Sequence, residues 1–215
     1  MVLVMKQHAK DLMLLGFLLM LFIGFIRRKR YEYSLLKYVL CMMIIFFSGI
    51  LGLYIMFYIE NGIWGGISFF GTILIGPLIV LPFALLFKIN FLEILDWCSP
   101  SVCIMHAMMK YSCYLSGCCG GNEAYLSMCS IPLQLMEVIC VIVIMVVLLF
   151  MERKNKTIIY PTYLLIYGIV RLILNSFRAN LAVFYILPAG HVWSIVSILV
   201  AIILLVFINK RKKAE

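Results

Sequence analysis

No stretch of this chain stays polar long enough to build a soluble domain. Charged residues make up 13% of the 215, and hydrophobic ones make up 66%. A soluble domain of this size does not carry that much apolar surface, so the composition places the chain among polytopic membrane proteins. Acidic residues are scarce, nine against 18 Lys and Arg, giving a formal net charge of +9. That balance alone would admit nucleic acid as a partner. The distribution excludes it, because the basic residues cluster at the ends of apolar segments, where they orient a membrane protein. Eight cysteines are present but no C-x-x-C pair, so the usual zinc spacing is absent and neither a metal nor an organic cofactor is indicated. Most of these cysteines read as small hydrophobes. A disulfide among Cys118, Cys119 and Cys129, near the expected outer face, stays open. Internal repeats, low-complexity tracts and a second domain are missing, so residues 1–215 read as a single transmembrane domain. The first apolar run lacks a small-residue cleavage site and reads as a retained span, not a removed signal peptide.

Seven apolar runs approach the length of about 20 residues that crosses a bilayer. They cover roughly 11–26, 38–59, 63–87, 97–117, 131–151, 157–177 and 186–208. The expected fold is all-α, a polytopic bundle of about seven transmembrane helices. The fourth run, WCSPSVCIMHAMMKYSCYLSG, carries polar groups throughout and must be wrapped by the others. Arg27, Arg28, Lys29, Arg30 and Lys37 follow the first run. Lys88 follows the third, Arg153, Lys154 and Lys156 the fifth, and Lys210, Arg211, Lys212 and Lys213 the last. The alternate loops ENGIWGG and GGNEAYLSMCS carry no Lys or Arg. The positive-inside rule then predicts N-terminus out and C-terminus in, although Lys6 and Lys10 lean the other way. Pro77 and Pro82 should kink the third span.

Charge inside an apolar span costs several kcal/mol per group, so such residues pair, face a polar interior and mark a site. Lys110, Glu137 and Arg171 are three such residues. On the expected topology each lies about two helical turns below the outer face, by the ~1.5 Å rise per residue. His106, Lys110, Cys113 and Gly117 share one helix face, as do Gln134 and Glu137 on the next span. Tyr167, Arg171, Asn175 and Arg178 form a stripe on the sixth. An ion-pair lock between helices would explain one cation on one carboxylate. Two cations, with Arg178 close by, leave a surplus positive charge that suits an anion, and Arg is shaped for bidentate phosphate contact. A lipid phosphate is the anion available at that depth. Gly62, Gly65, Gly66, Gly71 and Gly76 crowd the start of the third run, for close helix packing or for backbone lining a ligand cavity.

Five segments in order resemble the prolipoprotein diacylglyceryl transferase family, over roughly residues 60–200. The family's GG-x-S-F-H-G appears as GGISFFG, which carries Gly65, Gly66, Ser68 and Gly71, with Phe70 where the family has His. Its G-R-x-G-N-F-x-x-G appears in MKYSCYLSGCCGG, with Lys110 at the Arg, Cys113 at the Asn, Tyr114 at the Phe, and Gly117 kept. P-x-Q-L-Y-E appears as PLQLME, with Gln134, Met136 and Glu137. Y-G-x-x-R-x-x-x-E-x-x-R appears as YGIVRLILNSFR, keeping Tyr167, Arg171 and Arg178 and placing Asn175 at the Glu. G-Q-x-x-S appears as GHVWS, with His191 and Ser194. The chain resembles a shortened, divergent member.

The resemblance implies transfer of a diacylglyceryl group from phosphatidylglycerol to the thiol of a prolipoprotein's lipobox cysteine, releasing glycerol phosphate. It implies a multi-pass protein of the bacterial cytoplasmic membrane. Its partners would be phosphatidylglycerol, the signal-peptide and lipobox segment, and other membrane lipids. Mapped onto this sequence, the catalytic group is Arg171, Lys110, Glu137, Tyr167 and His106. The substrate-binding group is Gly65, Gly66, Ser68, Gly71, Cys113, Gly117, Gln134, Arg178 and His191. Arg171 and Lys110 would hold the phosphate, and Glu137 would orient a cation. His106 and His191 are the candidate bases, each also readable as a structural histidine. Three rival readings remain: a related transferase with another acceptor, a non-catalytic lipid-binding relative, and a transporter. The last is disfavoured because the inner halves of the fourth and sixth spans lack matching charges.

Overall fold

The computed structural model describes residues 2–122, 125, 129–155, 157–178, 183–184 and 187–214, with the side chains of 2–10, 183 and 214 left aside. Lys6, Lys10 and Lys156, which entered the orientation argument, fall outside these described side chains. Among the described residues, seven helices follow in chain order: α1 Val2–Arg27, α2 Leu35–Asn61, α3 Gly71–Leu86, α4 Phe91–Leu115, α5 Leu133–Lys154, α6 Ile159–Asn175 and α7 Ala189–Ala214. A short 3-10 turn, Arg28–Tyr31, follows α1, and a two-residue antiparallel pair, β1 Val183–Phe184 with β2 Leu187–Pro188, precedes α7. The all-α reading therefore holds. Helices α2, α5 and α7 are long and apolar enough to cross a membrane, while α3 and α6 are shorter apolar helices.

Helix α4 is the axis of the bundle. Its residues from Ile94 to Cys103 are buried without interruption, polar ones included. Helix α1 lies along it, α5 and α6 also pack on it, and α7 packs against α6. Lipid would leave the polar groups of α4 unmatched, so they turn inward to partners in the bundle or in the helix itself. Asp96 Oδ1 accepts from the Tyr160 backbone N–H at 2.7 Å, capping the first turn of α6 from another helix. Ser99 Oγ donates to the Leu95 carbonyl at 2.6 Å. The helix starts at Phe91, earlier than the expected 97, because the Asn90 side chain accepts from Glu93 N–H at its first turn.

The third segment departs most from expectation. Residues 63–68 are not helical, and α3 opens with a π-helical turn, Gly71–Ile75. Gly65 has φ +124°, a conformation open to glycine but strained for other residues. The π turn coincides with a close approach of two backbones. A Cβ on Gly71 would stand 1.9 Å from the Gly52 carbonyl oxygen of α2. Tyr160 Oη donates to the Ile73 carbonyl at 2.6 Å, satisfying one acceptor in the widened turn. At Gly71 the glycine stripe thus serves close packing, as small residues do in membrane bundles.

Candidate active site

Glu137 sits in the second turn of α5, 2% exposed, at the end of the bundle away from the basic clusters. Two helices and the segment after α6 aim side chains at it. From α4, Lys110 Nζ lies 3.1 Å from Oε1 and His106 Nε2 lies 3.7 Å from the same oxygen. From α6, Arg171 Nη1 donates to Oε2 at 2.9 Å and Tyr167 Oη to Oε1 at 3.3 Å. Just beyond α6, Arg178 Nη2 stands 3.7 Å from Oε2. Every residue expected to be catalytic is therefore gathered on one carboxylate.

Local structure explains the convergence. His106 and Lys110 are one turn apart on α4, as Tyr167 and Arg171 are on α6, so each helix presents both members of its pair on one face. Arg178 falls past the helix end, and a strand-like bridge holds it there. Gly121 pairs antiparallel with Arg178, and Asn122 N–H donates to the Phe177 carbonyl at 2.7 Å. His106 is wholly buried and stacks on Phe69, ring centroids 3.6 Å apart at 18°. Phe70, at the position of the family's histidine, is also buried and packs 5.9 Å from the Tyr167 ring. The imidazole beside Glu137 thus comes from α4 and not from the glycine-rich segment.

The charge does not close on itself. Lys110, Arg171 and Arg178 meet one carboxylate directly, a formal surplus of two positive charges. Glu60, in the last turn of α2, lies within electrostatic reach of Arg171 and offsets one of them when ionised. Among the described residues, two buried guanidinium donors, Arg171 Nε and Arg178 Nε, have no hydrogen-bond partner, and His106 Nδ1 has none either. Buried donors are satisfied in the great majority of cases, so unfilled ones beside surplus positive charge describe a place for an acceptor-rich anion.

The remaining expected residues divide. Ser68 Oγ donates to Glu60 Oε1 at 2.7 Å, which ties the glycine-rich segment to the site's second carboxylate. Gly66 packs against the Phe57 ring. Gln134 Nε2 donates to the Cys118 carbonyl at 2.6 Å and so holds the loop after α4. Gly117 ends α4 in a left-handed conformation, φ +68°, and Cys113 lies one turn beyond Lys110. His191 stands elsewhere: Nδ1 is 2.8 Å from Asn175 Nδ2 and Nε2 is 3.2 Å from Ser176 Oγ, a link between α7 and the end of α6. Glu60 was missed from the sequence, where it reads as the edge of a loop. An acid in the last turn of a span was the available signal.

Apolar helices, three of them long enough to cross a membrane, surround a buried carboxylate that carries surplus positive charge. A family model, prolipoprotein diacylglyceryl transferase, matches residues 10–207, and the chain belongs to that family. It is thereby a member of a membrane-integral transferase family whose reaction is diacylglyceryl transfer to a prolipoprotein. No curated protein matches the chain closely enough to add a relative.

Proposed function

We propose that the chain transfers the diacylglyceryl group of phosphatidylglycerol to the thiol of a lipobox cysteine, with the Glu137 cluster as the site. The observation that carries the reading is the surplus of cations around one carboxylate, with two unfilled guanidinium donors. Arg171 and Arg178 take the phosphate oxygens, and Lys110 adds a compact positive charge. The sulfur attacks the glyceryl carbon, and the S–C bond forms as the C–O bond to phosphate breaks. Glycerol phosphate leaves with the electron pair. Its growing charge meets donors already in place, the kind of preorganisation that is often the largest catalytic term. Glu137 holds the three cations at fixed separations and keeps them from swinging toward water. His106 takes the thiol proton, because a thiol of pKa ~8.5 needs a base near neutral pH. Its Nδ1 has no hydrogen-bond partner among the described residues.

The positive-inside rule supports the Arg27–Arg30 and Lys210–Lys213 clusters facing the cytoplasm, with the N-terminus out and the C-terminus in. The Glu137 cluster then lies near the outer leaflet of a bacterial cytoplasmic membrane. Donor lipid and newly exported precursor both reach it there by lateral diffusion.

The test is purified protein with phosphatidylglycerol and a lipobox peptide, read by mass spectrometry. The expected product is the peptide with one added diacylglyceryl mass. An unmodified peptide together with released glycerol phosphate would replace the acceptor. An unmodified peptide and intact lipid would overturn the reading. The buried Phe70 favours one second reading, a non-catalytic lipid-binding member. Saturable glycerol phosphate binding without turnover would establish that instead.

A further inference from the structure

Outside the Glu137 cluster, one group of chemically active side chains has no role so far. Cys113, Cys118 and Cys119 place their three sulfurs within 4.8 Å of one another. None is in a disulfide. Sequence spacing concealed this trio, since C-x4-C-C matches no common ligand pattern. The end of α4 explains it. Gly117 N–H donates to the Tyr114 carbonyl and Cys118 N–H to the Cys113 carbonyl, the paired bonds of a Schellman motif. That motif turns the chain back over the last helical turn, so Cys118 and Cys119 return to Cys113. Cys119 itself holds φ +62°, a conformation that few non-glycine residues adopt. Gln134 pins the turn from α5 through the Cys118 carbonyl.

We propose that Cys113, Cys118 and Cys119 form a site for one thiophilic d10 cation of the zinc(II) class, with an open fourth position. Three thiolates bound at about 2.3 Å in tetrahedral geometry sit roughly 3.8 Å apart, so sulfurs already within 4.8 Å need only a small inward shift. Thiolate sets select such soft cations over calcium or magnesium. The electrostatics agree. Three thiolates and a divalent cation leave one negative charge, and Arg178, Lys110 and Arg171 all lie within electrostatic reach of Cys119. Cys118 and Cys119 are exposed while Cys113 is half-buried. The site is therefore anchored on the helix and open outward, as sites with three protein ligands and one exchangeable position are. A disulfide would use two of the sulfurs and strand the third; a cation engages all three.

The experiment is a cobalt(II) titration of the reduced, full-length protein in detergent, followed by zinc(II) displacement. One equivalent of cobalt should bring up a sulfur-to-metal charge-transfer band with tetrahedral d–d transitions, and one equivalent of zinc should remove it. Cys118→Ser and Cys119→Ser should each weaken binding by more than about tenfold, since even second-layer changes cost that much at metal sites. Both residues are exposed, so these variants should keep the wild-type helical circular dichroism if Cys113→Ser does not fold. Cys129→Ser and Cys140→Ser should bind as wild type. Absence of the band in the reduced wild type would overturn the proposal. So would a band that persists at wild-type affinity in Cys119→Ser.

Discussion

Helix α5 carries a buried carboxylate near each end, and the two are built differently. At the basic end Glu152 is 4% exposed and meets one cation through two bonds, Arg27 Nε to Oε2 at 3.1 Å and Arg27 Nη2 to Oε1 at 2.6 Å. Arg27 Nη1 donates to the Trp97 carbonyl, so each of its guanidinium nitrogens has a partner. Arg30 Nη2 donates to the Glu152 carbonyl. At the other end Glu137 meets three cations, an imidazole and a phenol, with guanidinium donors left over. The first arrangement balances one carboxylate with one guanidinium and ties α1 to α4 and α5. The second is incomplete in one direction only, toward more negative charge. Burial of charge is common to both, and the surplus of cations around one carboxylate tells a site from a lock.

Breaking the lock should have the larger effect on stability. Glu152→Ala strands a buried arginine and should cost about 3–5 kcal/mol. Thermal melting in detergent would read this as a large fall in midpoint, with transfer per folded molecule unchanged. A melting curve like wild type would mean that the Glu152 pair is no lock. Arg171→Ala should do the reverse, lowering transfer by about 10²–10³-fold, or roughly 2.7–4 kcal/mol of barrier, while the melting midpoint moves less than in Glu152→Ala. Full activity in that variant would remove Arg171 from the chemistry. Gly71→Ala tests the frame that holds both ends. Its methyl meets the Gly52 carbonyl of α2, and the strain should lower stability by about 1–3 kcal/mol. Unchanged stability would show that α2 and α3 can part freely. Lys110→Arg should have the smallest effect, keeping transfer within about tenfold, because charge is retained and the fork adds donors. A dead Lys110→Arg enzyme would show that the space beside Glu137 fits an ammonium alone.

Part of the site was legible before the fold. Intramembrane charge is rare, so Lys110, Glu137 and Arg171 stood out on composition alone, and helical periodicity added His106 and Tyr167. Other parts were not. Glu60 reads as the edge of a loop until Ser68 and Arg171 are placed beside it. His191 sits in a family-like motif yet links α7 to Asn175, since the end of α6 intervenes between it and Glu137. The glycines of the third segment read as a cluster in the outer half of a span starting near 63, and the structure starts that helix only after Gly65 has turned the chain.

The sequence by itself determined that this is an all-helical chain of membrane type, about how many apolar helices it has, and that Lys110, Glu137 and Arg171 stand out among its charges. Apolar length and the cost of intramembrane charge are properties of single segments, and they survive any arrangement of those segments. Only the tertiary structure decided that Arg27 closes on Glu152 across 125 positions, and that Arg178 reaches Glu137 through a bridge to Gly121. It likewise decided that three cysteines meet over the end of α4. Each of these depends on the distance between elements, which helix packing and turn geometry set and local sequence pattern does not encode.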